Sequence, residues 1–123
     1  MDNTLFLMVT CTLDRYRNQV TLKVLRKLNS LLIDINQINN LVVFDNSSKY
    51  QDHFQFINKA SNCVKSTRNL GLWSAINWIL FNYKKLNQKK FKYIYIIESD
   101  TFHWDLSVIK DCEKFLVNNK SIS

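Results

Sequence analysis

The sequence predicts an α/β fold with a mostly parallel sheet and helices on both of its faces. Residues 5–9, 41–44 and 93–97 are short apolar runs, which are typical of strands covered on both sides. Apolar residues recur at helical spacing between these runs, and strands that alternate with helices favour parallel pairing through right-handed crossovers. We expect a single domain over residues 1–123, because a chain of this length can bury a core of its own.

The elements are expected to follow one another as strand, helix, strand, helix along the whole chain. The first helix should begin near Gln19 with Asn18 as its N-cap. The only glycine, Gly71, marks a place where the backbone needs freedom, next to the start of another long helix. In chain order the predicted elements are strand 5–9, helix 19–32, strand 41–44, short helix 53–60, strand 63–65, helix 71–86, strand 92–97 and helix 105–117.

The formal net charge of +7 favours anionic partners. Nucleic acids, phosphorylated metabolites, nucleotide-sugars and acidic membrane surfaces all belong to this class, so charge alone does not choose among them. Five lysines lie between residues 84 and 92, where a predicted helix ends. Cations there complement the helix dipole, and we favour this interpretation over a dedicated polyanion site.

Several features point to a cytoplasmic protein with no transmembrane segment. No apolar run approaches the roughly 20 residues that span a bilayer, and residues 1–3 carry an acid rather than the base of a signal peptide. Cys11, Cys63 and Cys112 are widely spaced and odd in number, so we predict reduced, mostly buried thiols. The tryptophans, Trp73 among them, are expected to pack at the core or its edge rather than to stack on sugars.

Polar residues follow three of the predicted strands directly. Residues 10–14 leave the first strand, Asp45 ends the second, and Glu98 and Asp100 end the last. Ligands of open parallel sheets bind beyond the carboxyl ends of the strands, so we predict a site at this edge. Two structural alternatives stay open: Asp45 as part of a capped turn, and Glu98 with Asp100 as caps of the final helix.

Four segments stand out in order along the chain: residues 9–15, residues 43–48, Arg68-Asn69-Leu70-Gly71 with Ala75 and Asn77, and residues 97–101. The first is a strand with a polar exit loop, the second a strand with an acid-and-serine turn, the third a loop that leads into a helix, and the fourth an apolar run that ends in a carboxylate pair. In this order they resemble the amino-terminal, nucleotide-sugar-binding half of family 2 glycosyltransferases, which are inverting enzymes with a Rossmann-like GT-A fold, and the fourth segment resembles the D-x-D element of that family.

The resemblance implies that a nucleoside diphosphate sugar is the ligand. Asp45 would contact the base or ribose, with Thr10 and Thr12 lining the same pocket. Arg68 would lie near the base or the phosphates.

The resemblance also implies a divalent metal. Asp100, helped by Glu98, would hold Mg²⁺ or Mn²⁺ against the pyrophosphate, because hard cations prefer oxygen ligands. The chain departs from the family pattern in having Glu98 in place of the first Asp and Cys11 in place of a common proline.

The family's second half supplies the acceptor pocket and the general base, and neither is visible in this sequence. We therefore expect a donor-binding domain without its acceptor-binding half, which does not transfer sugar alone. The alternative from another class is a noncatalytic nucleotide- or nucleic-acid-binding module. Its affinity should fall steeply with salt, because phosphate contacts release counterions.

Overall fold

The computed structural model describes residues 4–87, 91–99, 110–112 and 114–115. Each described strand lies within two residues of its predicted bounds at both ends. The strands are β1 (Thr4–Thr10), β2 (Leu41–Asn46), β3 (Asn62–Ser66) and β4 (Tyr93–Glu98), the helices are α1 (Arg15–Asp34) and α2 (Leu72–Asn87), and two short 3₁₀ helices span Ile38–Asn40 and Asp52–Phe56.

The four described strands form one parallel sheet in the order β3-β2-β1-β4. In register, Thr10 of β1 lies opposite Asp45 of β2, and Val9 lies opposite Glu98 of β4. The chain moves outward from β1 to β3 and then returns to place β4 on the other side of β1. The strand order therefore reverses between β1 and β4, which is where parallel α/β sheets form a ligand crevice.

Helices cover both faces of the sheet, as predicted. Successive side chains of a strand point to opposite faces, so Phe6 and Met8 pack with Leu25 of α1. On the other face, Leu7 and Phe44 pack with residues of α2. Each face has its own apolar core, which explains why β1 and β2 are apolar at almost every position.

Helix α1 begins four residues earlier than predicted. Asp14 is its N-cap, and the Asp14 side chain accepts a hydrogen bond from the Arg17 backbone N–H at 2.7 Å. Asn18, the predicted cap, is buried inside the helix, and its side-chain amide donates to Asp52 Oδ2 at 2.7 Å. The prediction for Asn18 is wrong because Asp14 caps the helix, and the Asn18 side-chain amide bonds instead to a residue distant in the chain.

The other differences concern short segments and exposure. The helix predicted over 53–60 is the shorter 3₁₀ helix Asp52–Phe56. Residues 110–112 and 114–115 are helical, and the rest of the predicted last helix lies outside the described residues. Cys63 and Cys112 are exposed, so the prediction of mostly buried thiols is wrong. No helix in the described ranges has both the length and the apolar character needed to cross a membrane.

Candidate functional site

A cleft of about 670 Å³ opens at the carboxyl edge of the sheet. Its walls are the exit loop of β1, the first turns of α1, the loop before α2, and residues Glu98 and Ser99 at the end of β4. This volume lies within the roughly 300–1,000 Å³ that is usual for small-molecule sites. The cleft lies where the strand order reverses between β1 and β4, so the topology of the sheet and the position of the cavity indicate the same ligand site.

The loop before α2 is fixed by Asn46, the last residue of β2. Asn46 is 3% exposed, its Oδ1 accepts from the Leu70 N–H at 3.0 Å, and its Nδ2 donates to the Gly71 carbonyl at 3.1 Å. Gly71 has a φ of 80°, a left-handed conformation that favours glycine. The Ala75 N–H donates to the same Gly71 carbonyl and begins α2. Asn46 therefore holds the amino end of α2 at the cleft.

Polar groups of different character line the cleft. The amino end of a helix carries unpaired N–H groups and partial positive charge, and Leu72, the first residue of α2, lines the cleft. Arg17 of α1 adds a cation, and its exposed side chain lies 3.7 Å from Asp14. Glu98 is exposed and contributes a carboxylate.

Cys11, in the exit loop of β1, bonds to the end of β2 and to the loop before α2, and its thiol is uncharged. Its thiol donates to the Asn46 carbonyl at 3.4 Å, and the Asn69 side-chain amide donates to its sulfur at 3.6 Å. Burial, and then the negative charge of Asp45, raise the pKa of the Cys11 thiol above its ordinary value, although Arg17 acts in the opposite direction. The thiol is therefore protonated at neutral pH.

A buried polar network holds the exit loops of β1 and β2 together. Asp45 is 2% exposed and accepts hydrogen bonds from Thr10 Oγ1 at 2.7 Å, from the Ser48 N–H at 3.0 Å and from the Ser48 hydroxyl. His53 Nε2 lies 3.1 Å from Asp45 Oδ1. A carboxylate only accepts, so we assign the imidazole proton to Nε2. Both oxygens of Asp45 are thus engaged within the chain.

The hydrogen bonds to Asp45 decide its ionisation. Burial by itself would raise the pKa of this carboxyl group, but the bonds from His53, Ser48 and Thr10 outweigh burial and lower the pKa to about 2. Hydrogen bonds to the charged form of a carboxyl group favour that form. Asp45 is therefore a buried, fully ionised carboxylate at neutral pH.

The residues predicted to contact the nucleotide take different positions. Thr10 and Thr12 are buried beside Asp45. The Thr12 N–H donates to Ser48 Oγ at 2.9 Å, and the Thr12 hydroxyl donates to the Tyr50 carbonyl. Arg68 is exposed in the loop after β3 and does not line the cleft, although its neighbour Asn69 does. The structure brings Thr10, Thr12 and Asp45 together in one buried network, and none of these three side chains lines the cleft.

Of the predicted metal pair, Glu98 lines the cleft and Asp100 lies outside the described residues. Within the described part of the chain, no group of three His, Cys, Asp or Glu side chains is arranged to hold a metal ion. The pairing of Glu98 with Asp100 at a metal stays a prediction.

No family model, curated protein or solved structure matches this chain. The functional interpretation therefore depends on the motifs in the sequence and on the position and chemistry of the cleft.

The sequence prediction assigned no functional role to two residues of the site, Arg17 and His53. Arg17 is signalled only by its place in the first turn of the helix that follows the β1 exit loop, and His53 has no local signal for burial.

Proposed function

We propose that the chain is the donor-binding domain of a family 2-like glycosyltransferase, and that the cleft binds the nucleoside diphosphate part of a sugar donor. The observation that carries the proposal is a cleft at the strand-order reversal of a parallel sheet. The amino end of α2 forms one wall of this cleft, and Glu98 lies at another. The four sequence motifs support the same choice, because each contributes a lining residue to the cleft, namely Cys11, Asn46, Asn69 and Glu98.

An anionic ligand fits the positive side of the cleft. The amino end of α2 offers unpaired backbone N–H groups, which bind phosphate in many α/β proteins. Its rim is held in place by the Asn46 contacts, so little ordering is needed when a ligand binds. Arg17 provides a cation in the same cleft, and a guanidinium pairs well with phosphate oxygens.

A divalent cation explains why a carboxylate lies in the same cleft. Glu98 alone would repel a diphosphate, whereas a cation between them would attract both. Mg²⁺ is commonly held by one or two carboxylates together with substrate phosphates, so a single described carboxylate suits such a site. Glu98, with Asp100 by sequence, would hold Mg²⁺ or Mn²⁺, and the metal would offset charge on the leaving diphosphate.

At the nucleoside end, the geometry favours a positioning role for Asp45. A direct contact with base or ribose requires Asp45 to exchange one of its bonds to Thr10, Ser48 or His53. With those bonds in place, the carboxylate fixes the exit loops that shape the cleft. The contacts of Thr10, Thr12 and Arg68 with the nucleotide remain part of the proposal.

Titration calorimetry with UDP and uridine, each with and without Mn²⁺, tests the proposal. We expect Glu98→Gln to weaken UDP binding in Mn²⁺ by about tenfold or more, because the variant loses a charged metal ligand. Binding of uridine should not change. Asp111→Asn is the matched control, since Asp111 is exposed and does not line the cleft. Asp100→Ala should show the same loss as Glu98→Gln.

Two outcomes would contradict the proposal. The first is that neither UDP nor any other nucleoside diphosphate binds with Mn²⁺ present. The second is that Glu98→Gln binds UDP as tightly as the wild type. Affinity for single-stranded RNA that falls steeply with salt and ignores chelator would favour the nucleic-acid-binding alternative.

A further inference from the structure

The amide side chains that line the cleft are already engaged within the chain. Asn46 bonds through its oxygen and its nitrogen to the loop before α2. Asn69 donates to the Cys11 sulfur at 3.6 Å, and its Oδ1 accepts from the Gly71 N–H at 2.8 Å. Amides are well suited to read the donors and acceptors on the edge of a nucleobase. Here such a contact would compete with the bonds that hold the walls of the cleft.

The other polar side chains of the lining are poorly suited to recognise one particular base. The buried network around Asp45 does not reach the cleft. Arg17 and Glu98 carry the charges that phosphate and a divalent metal require. Of the remaining polar side chains in the described lining, Thr21 is 2% exposed and Ser99 is half-buried. Little side-chain capacity is left to read the edge of a base.

The cleft offers the face of an aromatic ring instead. Among the described residues that line it, Tyr16 is the only aromatic one, and it is 76% exposed. The lining residues of α1 recur at spacings of three and four, which places them on one side of the helix. They are Tyr16, Arg17, Val20 and Thr21. The first two turns of α1 therefore turn one side to the cleft, and Tyr16 lies on that side.

Exposed aromatic residues of α2 provide a comparison. Trp73 is 73% exposed and Phe81 is 82% exposed, and neither lines the cleft. The expectation that Trp73 packs at the core or its edge is therefore wrong. Single exposed aromatic residues are ordinary on protein surfaces, so exposure alone assigns no role. Position separates Tyr16 from the other two, because it shares a cleft with the Arg17 cation and the Glu98 carboxylate.

We propose that the nucleobase of the donor stacks on the ring of Tyr16, and that the site therefore accepts nucleoside diphosphates with different bases. This inference rests on the proposed function, since it requires a nucleotide in the cleft. Every base has an aromatic face, so stacking tolerates a change of base. Arg17 is the next residue and lines the same cleft, so a ring and a guanidinium are available to the base and the phosphates of one ligand. The assignment differs from the resemblance, which gives the base or ribose to Asp45.

Titration calorimetry of the full chain with UDP, CDP, ADP, GDP and pyrophosphate, each with Mn²⁺, tests the inference. The dissociation constants of the nucleoside diphosphates should lie within about tenfold of one another. Tyr16→Ala should weaken binding of each nucleoside diphosphate by about tenfold and leave pyrophosphate binding unchanged, because only the base loses its partner. Tyr16→Phe should bind as the wild type does, since the ring is kept. Phe81→Ala is the matched control, because it removes an exposed ring outside the cleft.

A second measurement does not depend on the folding of a variant. With Mg²⁺ in place of paramagnetic Mn²⁺, nuclear Overhauser effects should connect the ring protons of Tyr16 with the base protons of bound UDP. Bound UDP without these effects would overturn the inference.

The outcomes separate this inference from the proposed function. Unchanged affinity of Tyr16→Ala for nucleoside diphosphates, or a preference of about 100-fold or more for one base, would overturn the inference and leave the proposed function standing. Equal loss of pyrophosphate and UDP binding in Tyr16→Ala would also overturn it, because the effect would not depend on the base. Failure of the wild type to bind any nucleoside diphosphate with Mn²⁺ would overturn both.

Discussion

Replacing Asp45 by Asn removes the charge at the centre of the buried network while keeping the size of the side chain. The carboxylate accepts hydrogen bonds from Thr10, Ser48 and His53 and is 2% exposed. An asparagine offers one acceptor oxygen instead of two and turns an NH₂ group toward donors. Buried polar groups that lose their partners destabilise the folded state. We therefore expect a clear loss of stability with no change of fold.

The size of the loss follows from the pKa of Asp45. The ordinary pKa is 3.8 and the pKa in the folded chain is about 2. At about 1.4 kcal/mol per tenfold change in proton affinity, this difference corresponds to about 2 kcal/mol in favour of the folded state. Because the pKa is lowered on folding, the contribution is complete above pH 3.8 and is lost as the pH falls to about 2.

Urea unfolding across this pH range measures the effect. At pH 7, Asp45→Asn should unfold with a free energy about 2 kcal/mol or more below that of the wild type. Near pH 2 the gap should shrink, because protonated Asp45 resembles the amide. Asp34→Asn is the control, since Asp34 is exposed at the end of α1 and should shift stability by less than about 0.5 kcal/mol. A gap that is absent at pH 7, or that stays constant down to pH 2, would refute this account of the network.

Two further predictions concern the ends of the helices. Gly71→Ala should lower the free energy of unfolding by about 1 kcal/mol, because φ is 80° there and an added Cβ meets no atom within 4 Å, so backbone strain is the only cost. Urea titration checks this, and an unchanged midpoint would contradict it. Asp14→Ala should cost about 1 kcal/mol through loss of the α1 cap, and Asp14→Ser should restore most of it. Equal stability of the Ala and Ser variants would show that Asp14 does not act as a cap.

The sheet and its covering helices were predictable because their sequence patterns are local. β1 and β2 are apolar on both faces, and the buried side of α2 recurs at helical spacing through Ile76 and Ile79. Parallel pairing followed from the alternation of strands and helices. The position of the cleft could then be predicted as well, since the polar ends of parallel strands meet at one edge of the sheet.

What could not be predicted depends on partners distant in the chain. Asn18 resembles a helix cap in sequence, but its partner is Asp52, 34 residues away. His53 has no sequence signal for burial, and its position is fixed by Asp45 on a strand of the sheet. The exposure of Trp73 had no local signal either, because residue type alone does not say which face of a helix a side chain occupies.

The central claim is that a divalent metal and a nucleoside diphosphate meet in the cleft beside Glu98. Paramagnetic broadening of backbone amide signals by traces of Mn²⁺ in the presence of UDP tests it most directly, with Mg²⁺ as the diamagnetic control. The account predicts that the signals of Cys11, Glu98 and Ser99 broaden first and that omission of UDP weakens the effect. Broadening centred elsewhere, or cleft signals that stay sharp with UDP and Mn²⁺ together, would contradict it.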